Sequence, residues 1–208
     1  MLNDAHSEAQ RSPQGDSSRR PFAKPAGFSL IELLLVIVIM GLVVAFVAPR
    51  IDVANFQVSS AVQSLSTTSA AAQREAITKQ HDMILTFNAP QRELRLIWDA
   101  NSNGIIDAGE RVRVVGLDDR VVFGLGEAPA RAFGAAPINF NDIVNGLPAL
   151  TFHRNGSASG IGGFYLTTRA AAAGVANKSH DTRAAEIVRA TGRTEWWRYS
   201  GSAWVRGF

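Results

Sequence analysis

The sequence predicts an α+β chain in which one long helical stretch precedes a head of short antiparallel strands. Two observations carry this reading. From Phe28 to Ala48 run twenty-one residues with Glu32 as their single charge, and from Arg50 to about Gln80 no Gly or Pro interrupts an amphipathic pattern. After Gln80 the apolar residues switch from helical spacing to short alternating runs bounded by Gly, Asn, Pro and Ser. A helix followed by many short strands is the α+β pattern. The 208 residues suit one ordinary domain with accessory segments, and the net charge of +3 is mild. No cysteine is present, which excludes a disulfide framework and any thiolate metal site.

Residues 1–26 are polar, rich in Ser, Pro, Gln and Arg, and without apolar periodicity. They read as a disordered leader. Arg11, Arg19, Arg20 and Lys24 outnumber Asp4, Glu8 and Asp16, and the cations lie nearest the apolar run. That bias places the leader in the cytoplasm. At 1.5 Å of rise per residue the run over 28–48 makes a helix of about 30 Å, enough to cross a bilayer. A carboxylate in such a run costs on the order of a few kcal/mol, so Glu32 calls for a partner or a place near the interface. A secretory signal peptide with a cleavage site at Val43-Val44-Ala45 competes with this reading. The run is longer than such a peptide's apolar core of roughly 7–15 residues, and that alternative leaves Glu32 unexplained.

Gly27-Phe28-Ser29-Leu30-Ile31-Glu32, the unbroken apolar stretch behind it, and Pro49 twenty-second from Phe28 resemble the class III signal of type IV prepilins and pseudopilins. The resemblance implies cleavage after Gly27 by a membrane-embedded prepilin peptidase, methylation of the new N-terminal Phe28, and pairing of Glu32 with the terminal amine of a neighbouring subunit. A buried carboxylate and a buried ammonium are each costly alone and tolerable together. It divides the chain into a removed leader (1–27), a transmembrane helix (28–48), a periplasmic continuation of that helix (49–80) and a β-rich head (81–208). Ala26 and Pro25 before the glycine depart from the usual signal, the nearest base being Lys24.

Within the continuation, Val58, Val62, Leu65, Ser69, Ala72 and Ala76 recur at helical spacing, a narrow stripe suited to lie on a sheet. Strands are expected at Met83–Phe87, Leu94–Trp98, Val112–Val115, Val121–Phe123, near Ile138–Phe140, and at Ala149–His153, Phe164–Thr168, Ala185–Arg189, Glu195–Tyr199 and Ala203–Arg206. Ala170–Gly174 is short and Gly-terminated, and is expected as a loop. Phe152-x-x-Asn155-Gly156 and Ile187-Val188-x-x-x-Gly192-Arg193 resemble the final strands of the GspH/FimT family of minor pseudopilins. With the N-terminal signal, the resemblance spans Gly27 to about Arg193. Read without it, the two segments are hairpin turns, Asn-Gly being a common type I′ signal. The resemblance implies a pilin-like fold, with a spine helix packed on an antiparallel sheet. It further implies a structural subunit of the type II secretion pseudopilus. Its partners would be other pseudopilins, the prepilin peptidase, an inner-membrane assembly platform and membrane lipid. A type IV pilus minor pilin shares the signal and is the alternative.

Residues 99–110 fit the twelve-residue calcium loop D-x-[DN]-x-[DN]-G-x₅-E. Asp99, Asn101, Asn103, Asp107 and Glu110 would offer side-chain oxygens, Ile105 its carbonyl, and Gly104 the sharp turn. The flanks read as strands, not EF-hand helices, and the same residues equally make a polar hairpin loop in which Asn and Asp supply turn geometry. Both readings stay open. Catalysis finds little support: His6, His81, His153 and His180 are scattered, and no nucleophile elbow or phosphate loop is present. Beyond Glu110, twelve Lys/Arg face seven Asp/Glu. Arg189, Arg193 and Arg198 mingle there with Trp197, a mix suited to phosphates and bases. DNA-binding FimT-like pilins carry Gly-Arg-x-Arg; here Gly192-Arg193-Thr194-Glu195 places an acid at the last position, and negligible DNA binding is expected.

Overall fold

The computed structural model describes residues 27–47 and 53–207, which fall in two compact units, Met1–Arg50 and Ile51–Phe208. The leader, Pro49 and the junction expected to join the two helices lie outside the described residues.

The first unit contributes helix α1, Leu30–Val47. Ser29 starts it: its hydroxyl accepts from Glu32 N–H at 3.2 Å, and its carbonyl accepts from Glu32 and Leu33. Ser29 and Glu32 stand at the two ends of the S-x-x-E capping pattern. Apolar residues from Leu30 through Val44 are exposed on every side of the helix. Eighteen residues make about 27 Å. Among the described residues no helix is long and apolar enough to cross a membrane.

The second unit is built on α2, Val53–Lys79. All six residues of the expected stripe are buried, with Ser66 beside them. Strands β1 (Asp82–Asn88), β2 (Glu93–Asp99), β3 (Val112–Gly116), β6 (Asp142–Val144) and β7 (Leu147–Phe152) form one antiparallel sheet, ordered β3-β2-β1-β7-β6. The other is ordered β11-β10-β9-β8-β4, from β4 (Val121–Phe123), β8 (Gly162–Thr168), β9 (Arg183–Ile187), β10 (Thr194–Tyr199) and β11 (Trp204–Arg206), with β5 (Ile138–Asn139) beside β8. The α+β class is as expected, but the head carries two sheets where one was anticipated. Both contribute to the core under α2: Met83, Leu85, Phe87, Leu94 and Phe152 from the first, Phe164, Leu166, Ala185 and Ile187 from the second. Phe87 stacks on Phe140 at 4.7 Å and meets Phe164 at 5.4 Å and the edge of Phe123 at 6.4 Å, filling the space between the sheets.

Three local expectations are corrected. Strand β6 has no counterpart among the expected strands; it pairs with β7 across Asn145-Gly146, whose φ values of 49° and 75° are those of a type I′ turn. At Asn155-Gly156 only the glycine takes positive φ, so that pair makes a different turn. Residues Arg169–Ala172 form a short helix, α3, capped by the Thr168 hydroxyl accepting from Ala171 N–H.

Two polar side chains tie α2 to distant turns. Gln73 donates to the carbonyl of Gly156 at 2.6 Å and to that of Thr191. Gly192 (φ 61°) has no room for a side chain, since a Cβ would meet Gln73 and stand 2.6 Å from the Gly156 carbonyl. Nearer the start of α2, buried Arg183 donates to Ser59 Oγ and Asn55 Oδ1 and to the His180 carbonyl. We expect Gln73→Ala to lower head stability by about 1–3 kcal/mol by orphaning two carbonyls. Gly192→Ala adds backbone strain of roughly 1–3 kcal/mol to a steric clash. Denaturant unfolding of both variants measures the two effects; a Gly192→Ala midpoint equal to wild type would refute the close approach.

Candidate functional site

Gly27 and Phe28 lie just ahead of α1, and Phe28 is 85% exposed. A Cβ added at Gly27 meets nothing within 4 Å, so nothing in the chain's own packing requires glycine there. Glu32 is exposed in the first turn of α1, where a carboxylate faces the positive end of the helix dipole. Gly27, Phe28 and Glu32 therefore fall within one turn or so of the same helix start.

The 99–110 loop is closed on itself. Asp99, wholly buried, accepts from Asn103 N–H at 3.0 Å and Gly104 N–H at 2.7 Å. Asn101 and Asn103 each turn an amide nitrogen on Asp107, at 2.9 and 2.8 Å, while their oxygens accept backbone N–H groups. Those amide bonds hold the Asp107 carboxyl below the usual carboxylate range. Glu110 closes the loop by accepting from Ala100 and Asp107 N–H. Ile105 is exposed and donates its own N–H to Asn103. Among the described residues no group of three or more His, Cys, Asp or Glu could hold a metal ion. The oxygens that a cation would take already accept from the loop's own backbone and amides, so the loop holds its shape as a self-capped turn, and each keeps a lone pair that an ion could also use.

The basic, aromatic C-terminal strands do not make a groove. Trp196 packs on the core, while Trp197, its neighbour on β10, faces the opposite side of the sheet. There the Arg131 guanidinium covers the Trp197 ring at 3.9 Å and bonds Glu186 at 3.2 Å. Phe133 stacks on Tyr165 and Trp204 donates to the Pro129 carbonyl, so the connection after β4 covers this face. Glu195 binds Arg206 at 2.6 Å and Arg193 at 3.4 Å. Arg189 lies in the turn after β9, and Arg193 and Arg198 stand five residues apart at opposite ends of β10, about 17 Å. Of the four residues considered for DNA, the structure brings none to a common exposed face with a free aromatic ring. Nothing local marks Arg131, an isolated cation in a Gly/Ala/Pro-rich stretch. His153 pairs with Asp82 at 2.8 Å, but the nearby Ser157 and Ser159 hydroxyls donate to Asn155 and Asp142.

Asp99→Ala should cost about 2–4 kcal/mol in calcium-free buffer, because two backbone donors lose a buried carboxylate. Titrating calcium into the same thermal measurement separates the two readings of the loop. A midpoint rise that Glu110→Ala removes is the signature of a bound ion, and an unchanged midpoint that of a self-capped turn. The contribution of Asp107 is present above its ordinary pKa and lost as pH falls through its lowered value, so the loop should loosen only in strong acid.

Comparison with known proteins bears on the first of these sites. Residues 23–48 match the family model described as the prokaryotic N-terminal methylation motif. No curated protein matches the chain. Among solved structures the chain is similar to the minor pseudopilin EpsH from the type 2 secretion system of Vibrio cholerae. The identity is 14% and the TM-score 0.38, with 73% of this chain and 96% of that chain covered. What the matched segment establishes is that a prokaryotic N-terminal methylation motif, with Gly27, Phe28 and Glu32 inside it, precedes this α+β head.

Proposed function

We propose that the chain is a minor pseudopilin, a structural subunit of the type II secretion pseudopilus that contributes to protein export across the outer membrane. The observation that carries this reading is the methylation motif over residues 23–48, which contains Gly27-Phe28 and the lone Glu32. The glycine is where a prepilin peptidase would cut, releasing residues 1–27. Phe28 then becomes a methylated N-terminus, and its ammonium is the natural counter-charge for Glu32 of a neighbouring subunit.

The apolar faces of α1 need a cover, and a helix apolar all round is suited to lipid or to other such helices. The apolar run over 28–48 would sit in the inner membrane before assembly, with the leader cytoplasmic and the head periplasmic. An assembly platform in that membrane would then move it into the filament, among other pseudopilins. The resemblance of Phe152–Gly156 and Ile187–Arg193 to GspH/FimT proteins supports a minor over a major subunit. A type IV pilus minor pilin would use the same signal; the neutralised arginines around Glu195 and the covered Trp197 ring favour secretion over DNA uptake.

Intact-mass measurement of membrane-extracted protein should give a chain that begins at Phe28 and carries one methyl group. Gly27→Val should block maturation without lowering head stability. A mature terminus near Phe46 would instead mean that ordinary signal peptidase had acted. Glu32→Ala should leave cleavage intact and reduce crosslinking to other pseudopilins and secretion together, with Glu32→Asp partly tolerated. Normal secretion and crosslinking in Glu32→Ala would refute the pairing. Loss of natural transformation on deletion, with secretion unchanged, would move the protein to the pilus alternative.

A further inference from the structure

Four arginines lie at one end of the second sheet. Arg120 immediately precedes β4, Arg169 immediately follows β8, Arg183 opens β9, and Arg198 stands opposite Arg183 near the end of β10. Because β4, β8, β9 and β10 are consecutive and antiparallel, these positions share one end of the sheet across three strand spacings, about 14 Å, with Arg120 and Arg169 about 10 Å farther along the strands than the Arg183–Arg198 pair. Arg183 is the buried member and is bound to α2 through Asn55 and Ser59. Arg120, Arg169 and Arg198 are exposed and form no ion pair among the described residues.

Two concavities flank the first turn of α2 at this end. One is lined by Ala54, Asp119, Arg120, Thr168 and Arg169, the other by Asn55, His180, Arg198 and Ser200. Of the carboxylates described here, Asp119 is bound by Arg92 at 2.8 Å and buried Asp181 by Thr168, His180 and Lys178, while exposed Asp118 accepts from Arg120 N–H at 3.0 Å. Among the described residues the three exposed arginines therefore outweigh Asp118, and net positive charge faces outward around the first turn of α2. Beside it, Phe56 is 72% exposed and Val53 45% exposed.

We propose that this end of the head docks on an anionic lipid surface, with Arg120, Arg169 and Arg198 against headgroup phosphates and Phe56 at the interface. The proposal rests on the reading that residues 28–48 are held in a membrane. Charge supplies the first argument: unpaired arginines near anionic headgroups are attracted individually, and their effects accumulate over a surface. Connectivity supplies the second. Val53 follows the end of the methylation motif by five residues, which reach at most about 18 Å when fully extended. That tether keeps the first turn of α2 near whatever surface holds the motif and raises the local headgroup concentration. An exposed aromatic next to arginines suits the interfacial zone of a bilayer, where amphipathic side chains collect. Nucleic-acid phosphate would satisfy the same charges, but the tether to the methylation motif favours a membrane surface, and the oligonucleotide arm of the test below separates the two.

Hydrogen exchange on the full chain tests the proposal. The protein is reconstituted in vesicles of phosphatidylcholine and in vesicles of equal parts phosphatidylcholine and phosphatidylglycerol. Exchange at 53–57, 119–121, 168–170 and 198–200 should slow by about fivefold or more with the anionic lipid, and the difference should vanish at about 0.5 M salt. The triple variant Arg120→Gln, Arg169→Gln, Arg198→Gln should lose the difference at an unchanged thermal midpoint, and the triple Lys variant should keep most of it. Equal exchange in the two vesicles, or a difference that survives the Gln variant, overturns the proposal. So does protection by a single-stranded oligonucleotide as large as that by phosphatidylglycerol. Release of the full chain from both vesicles by alkaline carbonate would count against the membrane anchor alone, since the contrast between lipids still decides the docking.

Discussion

The head depends on how closely α2 can approach two sheets at once. Its buried stripe begins with Val58, Val62 and Leu65 and continues with Ser66, Ser69, Ala72 and Ala76. The small half lets two turns, one between β7 and β8 and one between β9 and β10, come close to the helix, where Gly156 and Gly192 stand against the side chains of Gln73 and Ile77. Close approach raises a polar problem, because the carbonyls of those turns have no strand opposite them. Gln73 answers it with one amide nitrogen shared between Gly156 and Thr191. Arg183 does the corresponding work at the other end of α2. The aromatic cluster of Phe87, Phe123, Phe140 and Phe164 then fills the wider space between the sheets.

What could be read from the sequence follows from where the information is local. The α2 stripe was legible because helical periodicity and burial are the same fact seen twice. Most strands were legible for the equivalent reason; β9 lies two residues earlier than its pattern suggests because Val188 and Arg189 continue the alternation into the turn. Strand β6 was hidden by its three-residue length and by a Gly/Ala/Pro-rich surrounding, although Asn145-Gly146 marked its hairpin. The division into two sheets was not legible at all. It depends on which strands β7 and β8 choose as partners, and no single segment encodes that choice.

The candidate sites divide in the same way. Gly27, Phe28 and Glu32 form a linear motif and needed no fold to be seen. The DNA strip looked coherent because Arg193, Trp197 and Arg198 are close in sequence, yet alternation along β10 separates their faces and Arg131, more than sixty residues upstream, covers one ring. For the 99–110 loop, the donor types are legible but not their use. The amide nitrogens of Asn101 and Asn103 point at Asp107, and only side-chain geometry could show it. The Ser29 cap is local as well, since the S-x-x-E spacing to Glu32 marks it.

The span of the α2 ties has a consequence for how the chain acquires its shape. Gln73 waits for Thr191, 118 residues later, and Arg183 reaches back 124 residues to Ser59. A chain that emerges N-terminus first therefore presents α2 long before its partners exist. The helix can form early, but its stripe stays uncovered and its glutamine unclasped until almost the last strand has arrived. Such distant pairings slow folding because loop closure precedes the reward. Until β9 and β10 emerge, the apolar side of α2 is open to mispairing, and a helper that shields it during that interval would act on the nascent chain at the point of greatest exposure.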